Sequence, residues 1–246
     1  MSLLELRGLA VEVAGNLVLK GVDLTIGRGE THVLFGPNGS GKTTLIMTVL
    51  GFPKYRVVSG QILFKGQDVS GLSLDQRIRM GMGIAFQRPP VVPGVKLRQL
   101  AELIGRHDGS KLEEAARELS ATHLLDRSVN EGFSGGEAKR SELLQLLMAG
   151  PELAFIDEPE SGVDIESIAI IGNAINRILG KTKVKAGRSA SALIVTHTAH
   201  ILDYVNAEVG HVMVDGRIVC SGNPRDILKE IRAHGFRRCE VCNGNE

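Results

Sequence analysis

The stretch GPNGSGKTT, residues 36–44, stands between an apolar run, Thr31–Phe35, and a helical pattern, Thr43–Leu50. It fits G-x-x-x-x-G-K-[ST], a motif that works as a strand, a loop and a helix in immediate succession. Gly36, Gly39 and Gly41 let successive backbone N–H groups turn inward around phosphate oxygens, with Pro37, Asn38 and Ser40 filling the loop between them. The N-terminus of the following helix adds partial positive charge at the same place. In this pattern Lys42 reaches the β- and γ-phosphates, the Thr43 hydroxyl is a Mg²⁺ ligand, and Thr44 continues into the helix. The motif commits the chain to an α/β fold.

Three further runs, GIAF, LAFI and ALIV, are short and continuous, as strands buried on both faces are. Each leads into polar residues. LAFIDE delivers Asp157 and Glu158 at a strand's C-terminal end, where open α/β sheets bind ligands. Asp157 is the candidate to hold Mg²⁺ through water, and Glu158 to orient and deprotonate an attacking water. GIAFQ ends in Gln87, a neutral ligand able to touch both Mg²⁺ and water, and ALIVTH ends in His197, suited to hydrogen-bond a γ-phosphate. Singly these residues say little; their agreement at the strand ends of one sheet says more.

Outside these runs, Leu3–Leu9, Leu17–Leu19, Val22–Ile26 and Gln61–Phe64 read as strands, the first three with no helix between them, which predicts an antiparallel patch. Between Gln87 and Phe133 the apolar period is helical, as in an inserted subdomain. HVMVDGRIVCSG predicts a hairpin turning at Asp215-Gly216, and Gly180–Ser191 a basic, solvated loop. At 246 residues and 43% hydrophobic, the chain can bury one large core with a subdomain attached. A net charge of +1 gives no electrostatic case for nucleic acid, and no run approaches a membrane span, so direct membrane insertion is not expected. The N-terminus lacks a signal-peptide pattern and three cysteines make no disulfide framework, which together predict a cytoplasmic protein.

The segment VNEGFSGGEAKRSELLQ, residues 129–145, poses a question. Ser134 and Glu137 make the S-x-x-E capping box. Yet Gly135 and Gly136 fill the first helical turn, each at roughly 1 kcal/mol relative to alanine. Something must come close to the backbone there.

Taken together, the phosphate loop, Gln87, FSGGE, IDE, SGVD at 161–164 and THT resemble the ATP-binding-cassette ATPases, in their usual order and over nearly the whole chain. That resemblance implies a mixed core sheet, an N-terminal antiparallel β-subdomain and an inserted α-helical subdomain. Residues 1–87 and 151–246 would be the catalytic core with its β-subdomain, 88–150 the helical part with the signature helix, and 237–246 a tail. ATP with Mg²⁺ is the implied ligand, and a second copy of the chain the implied partner. Ser134, Gly135, Gly136 and Asp164 of one copy would face nucleotide held by the other, with phosphate approaching the bare glycine backbone.

A finer likeness lies in IAFQRPPVVPGV, SVNEGFSGGEAKRSELLQ, DEPESGVDIES and THTAHILDYV, which resemble the SufC family of iron–sulfur cluster assembly ATPases. It implies a SufB/SufD-like scaffold partner docking on RPPVVPGVKL. Pro159, Val163 and Glu166 depart from that family's pattern, and the insert is short, as in a minimal, archaeal-type member. The nucleotide-binding subunit of a membrane transporter is the alternative; a module that binds ATP without hydrolysing it is disfavoured by Glu158 and His197. VEVAGNLV carries no aromatic to stack on adenine, forfeiting about 0.5–1.5 kcal/mol and predicting weak base discrimination. Resemblance and charge together suggest that Lys139 pairs with Glu158 as a latch on basal turnover. In the tail, Cys239 and Cys242 have metal-ligand spacing but supply two of the four ligands such a site needs, leaving a site shared between two tails, a brief hold on iron for the scaffold, or no role.

Overall fold

The computed structural model describes residues 2–105, 109–181 and 189–236. Its centre is a six-stranded mixed sheet in the order β12-β11-β3-β10-β9-β6. The strands are β3 (Thr31–Phe35), β6 (Met82–Ala85), β9 (Leu153–Asp157), β10 (Ser191–Val195), β11 (Val209–Val214) and β12 (Arg217–Gly222). Neighbours run parallel except β11 and β12, which form the expected hairpin. β3, β9 and β10 are buried at every residue, which is why they read as unbroken runs and not as alternation.

A second sheet, β2-β1-β4-β5, is antiparallel throughout. It comprises β1 (Ser2–Val13), β2 (Asn16–Gly27), β4 (Arg56–Phe64) and β5 (Gln67–Asp68). The strands expected at Leu3–Leu9 and over Leu17–Ile26 are parts of two 12-residue strands. Register shifts between Leu6 and Leu9 and again after Leu9 break the period of two in β1, so its full length does not show as alternation.

The helix after the phosphate loop, α1 (Lys42–Leu50), lies between the two sheets. Its Leu45, Ile46 and Val49 share one buried cluster with Leu4, Leu6 and Leu24 of the antiparallel sheet and Phe155 and Leu193 of the core. Each such side chain contributes about 1.5–3 kcal/mol on full burial, so the loop's C-terminal anchor is firm. α2 (Leu74–Arg79) follows the antiparallel sheet. On the core sheet's other face, α3 (Leu97–Ile104), α4 (Gly109–Glu118), α5 (Gly135–Ala149) and α6 (Ile165–Ile178) share a single apolar cluster with Ile156 and Ile194. α7 (Pro224–His234) covers β11 through Ile227.

The stretch after Gln87, expected to be a proline-stiffened loop, is held by hydrogen bonds as well. β7 (Val92–Lys96) pairs antiparallel with β8 (Ser128–Val129), and Asn130 Nδ2 donates to the Pro90 carbonyl at 2.8 Å. The two-residue β8 carries no readable period, so this ladder was not visible in the sequence. Most of the basic Gly180–Ser191 stretch, together with Cys239 and Cys242, lies outside the described residues.

At the hairpin, Asp215 and Gly216 have φ of 47° and 78°, the pair of positive angles a two-residue primed turn needs. Gly216 N–H donates to the Ser40 carbonyl and its own carbonyl accepts from Lys20 N–H, both at 2.9 Å. A Cβ on Gly216 would lie 2.0 Å from the Val18 carbonyl oxygen. The turn thus braces the phosphate loop against β2.

At the opposite end of the sheet, His32 and His211 are buried side by side, ring nitrogens 2.9 Å apart. One set of tautomers satisfies every atom: Ser221 hydroxyl to His211 Nδ1 (2.7 Å), His211 Nε2–H to His32 Nδ1, and His32 Nε2–H to Glu30 (3.0 Å). Burial first, and the neighbouring His32 second, lower the His211 pKa to about 4. Unfolded His211 takes its proton near the ordinary 6.5, so between these values the unfolded chain binds more protons. Stability should therefore fall as pH drops from about 6.5 towards about 4. Melting curves of wild type and His211→Gln check this: the wild type's advantage should shrink on acidification, whereas a constant difference would remove His211 from the titration.

Candidate functional site

The C-terminal ends of β3, β6, β9 and β10, four neighbours in the parallel part of the sheet, bring together the phosphate loop, Gln87, Asp157, Glu158 and His197. The phosphate loop, Gln87 and Glu158 border a cleft of about 330 Å³ whose lining includes Val18, Asn38, Lys42 and Thr43. Val18, from the aromatic-free VEVAGNLV stretch, stands on this wall.

Within the loop, Lys42 Nζ donates to the carbonyls of Gly36 and Pro37 at 2.8 and 2.9 Å. Burial lowers its pKa, with Glu158 and Asp157 opposing that effect. Thr43 Oγ1 donates to Asp157 Oδ2 at 3.0 Å. Asp157 Oδ1 is buried with no hydrogen-bond partner, as is Ser40 Oγ. The Asp157 carboxyl is accordingly raised above its ordinary pKa, burial being the main cause. An unpartnered carboxylate oxygen costs of order 1–3 kcal/mol, a cost that a cation or donor in the cleft would offset.

Glu158 has both carboxylate oxygens engaged: Oε2 accepts from Gln87 Nε2 at 2.6 Å, and Oε1 lies 3.1 Å from His197 Nδ1. Its backbone is left-handed, φ 48°, which costs a non-glycine residue about 1–2 kcal/mol and turns the side chain out of the strand's path. The residue's N–H stays anchored to the Val195 carbonyl at 2.9 Å.

Ser134, Gly135, Gly136 and Asp164 bond elsewhere, at the N-termini of α5 and α6. Ser134 N–H donates to Glu137 at 2.8 Å and Ser134 Oγ accepts from Glu137 N–H at 3.3 Å, the complete capping box. These bonds and His123 pull the Glu137 pKa down to about 2. Asp164 caps α6, accepting from Ser167 N–H and Ser167 hydroxyl at 2.8 and 2.9 Å. The glycines have an answer inside the chain itself: a Cβ on Gly135 would lie 2.4 Å from the Gly162 carbonyl oxygen, and one on Gly136 3.1 Å from Ser167 Oγ. α5 packs so closely on the 161–164 segment that Gly135 tolerates no side chain.

The expected Lys139–Glu158 latch is not formed. Lys139 is buried, and its Nζ donates to the carbonyls of Phe86, Gln87 and Asp157 at 2.9, 2.9 and 3.3 Å. An ammonium has three donors, and all three are used on backbone. Lys139 is therefore a strut from α5 to the ends of β6 and β9. Its position on one helical face with Leu143 and Leu146, at i+4 and i+7, was the available sign that it points inward. Sequence reasoning also passed over Glu142, whose Oε2 accepts from Phe86 N–H at 3.3 Å, and Glu160, two residues after Glu158.

Comparison with known proteins shows the family and the fold. Residues 19–161 match the family described as ABC transporter. The chain is 39% identical over 236 residues to a probable ABC transporter ATP-binding protein of Streptococcus pyogenes, covering 91% of this chain and 90% of that one. It is 37% identical over 251 residues to a probable ATP-dependent transporter of Cyanophora paradoxa, covering 95% and 93%. Among solved structures, an ATP-binding cassette of an ABC transporter superposes with a TM-score of 0.78 at 24% identity, covering 97% of this chain and 98% of that one. This last likeness speaks for the fold.

Proposed function

Because this chain belongs to the ABC transporter family and is an ABC-type ATPase, we propose that it is the ATP-binding and ATP-hydrolysing subunit of a SufBC(D)-type iron–sulfur cluster assembly complex. The observation that carries the reading is an interlock beside the cleft. The two longest stretches with the finer SufC likeness, residues 84–95 and 128–145, are one physical unit. Val92 pairs with Val129, Asn130 holds Pro90, and Lys139 and Glu142 hold Phe86 and Gln87 from α5. A scaffold gripping this unit would move Gln87 and the Ser134 helix end together. The Streptococcus and Cyanophora relatives, named as probable transporter proteins, favour the second reading, the nucleotide-binding subunit of a membrane transporter.

In either setting the roles proposed for the cleft residues are the same. Lys42 leaves its two loop carbonyls for β- and γ-phosphate oxygens, helped by the backbone N–H groups of 36–44. Mg²⁺ fits the unpartnered Asp157 oxygen and the adjacent Thr43 hydroxyl, so Thr43, Asp157 and Gln87 would hold it; when bound, it supplies charge neutralisation at the phosphates. Glu158, released from Gln87, orients the attacking water and takes its proton, and His197 donates to the γ-phosphate. Ser134, Gly135, Gly136 and Asp164 are proposed to meet nucleotide held by a second copy. Closure favours scaffold conformations compatible with the dimer, which is how ATP binding does mechanical work.

Affinity purification of the tagged chain from its own cells, followed by identification of its partners, tests the choice. The expected partner stays in the soluble fraction and gains an iron–sulfur chromophore in an ATP-dependent manner. Recovery with a multi-span protein in the membrane fraction would overturn the assembly reading in favour of transport.

A further inference from the structure

We propose that Glu160 is the positioning residue for His197, tying the segment that carries the imidazole to the 161–164 segment that follows β9. The inference rests on the γ-phosphate role proposed above for His197.

Glu160 is 7% exposed, a degree of burial that a carboxylate adopts at considerable cost unless it is used. Its Oε1 accepts two hydroxyls, from Thr196 and from Thr198, the latter at 2.9 Å. These are the residues on either side of His197. Thr196 is fully buried, and its oxygen also accepts from the N–H groups of Thr198 and Ala199 at 3.2 and 2.8 Å. The chain from 196 to 199 is thus wound around one threonine oxygen, and that oxygen is seated on Glu160. Ala199 closes the turn in a left-handed conformation, φ 63°.

His197 itself is the loose member: its side chain is 41% exposed, and its Nδ1 lies 3.1 Å from Glu158 Oε1. When Glu158 turns to water that contact is lost, and the turn beneath the imidazole remains to aim it. Glu160 supplies that turn's fixed point from just beyond Pro159. Its other oxygen, Oε2, is buried without a partner, so the carboxylate is held by the two hydroxyls alone. Apolar packing at this position would leave the Thr196 and Thr198 hydroxyls without their acceptor.

Glu160 also opens the segment that runs through Gly162 to Asp164, and Gly162 packs against Gly135 at the start of α5. The α5 N-terminus thus rests on the same short segment whose first residue holds the turn around His197.

The test is steady-state ATPase of the full chain for Glu160→Ala, Glu160→Gln, His197→Ala and the Glu160→Ala/His197→Ala double variant. A mis-aimed imidazole predicts a fall in kcat of about 10²-fold for Glu160→Ala, with the KM for ATP within about threefold. Glu160→Gln keeps an acceptor oxygen for the hydroxyls and should retain most of the rate. In the His197→Ala background, Glu160→Ala should add little, because both changes remove one function. Full additivity, or a loss carried by KM alone, would overturn the proposal. If His197→Ala turns over normally, the role given to His197 fails; if it is impaired while Glu160→Ala is not, only the positioning role fails. Should Glu160→Ala not fold, Thr198→Val removes one of the two hydroxyls, and an unchanged kcat there would equally overturn it.

Discussion

Glu158→Gln should bind ATP, hydrolyse it about 10²- to 10⁴-fold more slowly, and accumulate as an ATP-bound dimer. The substitution is nearly silent toward the resting structure. The amide oxygen can accept from Gln87 Nε2, and the amide N–H can donate to His197 Nδ1, replacing the contacts at 2.6 and 3.1 Å. What it removes is basicity. A glutamine orients water but takes no proton, so a closed dimer would form and not be discharged. Phosphate release with Mg-ATP, beside size-exclusion chromatography of the same sample, measures both halves. Turnover near that of wild type would remove Glu158 from its assigned role.

Lys139→Ala should cost stability and activity together, which reverses what a latch predicts. The side chain is buried and its three donors serve the carbonyls of Phe86, Gln87 and Asp157. Its charge faces Asp157, Glu142, Glu158 and Glu160, while burial lowers its pKa. Removing a buried cation from such surroundings costs about 3–5 kcal/mol, because acceptors and acids are left uncompensated. For a domain of this size that is a fall of roughly 6–20 °C in melting temperature. ATPase activity should drop as well, since the strut sets the spacing of Gln87 and Asp157. Faster basal turnover with an unchanged melting temperature would restore the latch and displace the strut.

That the sequence suggested a latch for Lys139 and hid the strut is a matter of physics. Charge logic on a sequence pairs cations with anions, whereas a buried ammonium is most economically satisfied by three carbonyls at strand ends that no local pattern announces. The phosphate loop and the four strand ends were legible because buried parallel strands are continuous apolar runs whose polar termini stand out. The full β1 and β2 were less so, since bulges break their alternation. The left-handed backbone of Glu158 has no sequence sign at all, as glutamate before proline does not favour it. Gly135 was noticed as an anomaly, but its contact with Gly162 depends on how α5 meets the 161–164 segment, which is a tertiary fact.

The order of strands in the core sheet also has a consequence for how the protein is made. β3, which leads into the phosphate loop, lies between β10 and β11, and its residue Thr31 pairs with Ala192. β10 is synthesised roughly 160 residues after β3 and β11 later still, so at about 5–20 residues per second the ribosome leaves β3 unpaired on both edges for about 8–30 s. An apolar strand with two open edges is a template for pairing with another chain. During that interval the nascent chain can pair β1 with β2 and with β4, complete by residue 64, but it cannot close the sheet that carries the site. Chains released early, or stalled before β10, should accordingly be found in aggregates and not as partly active fragments.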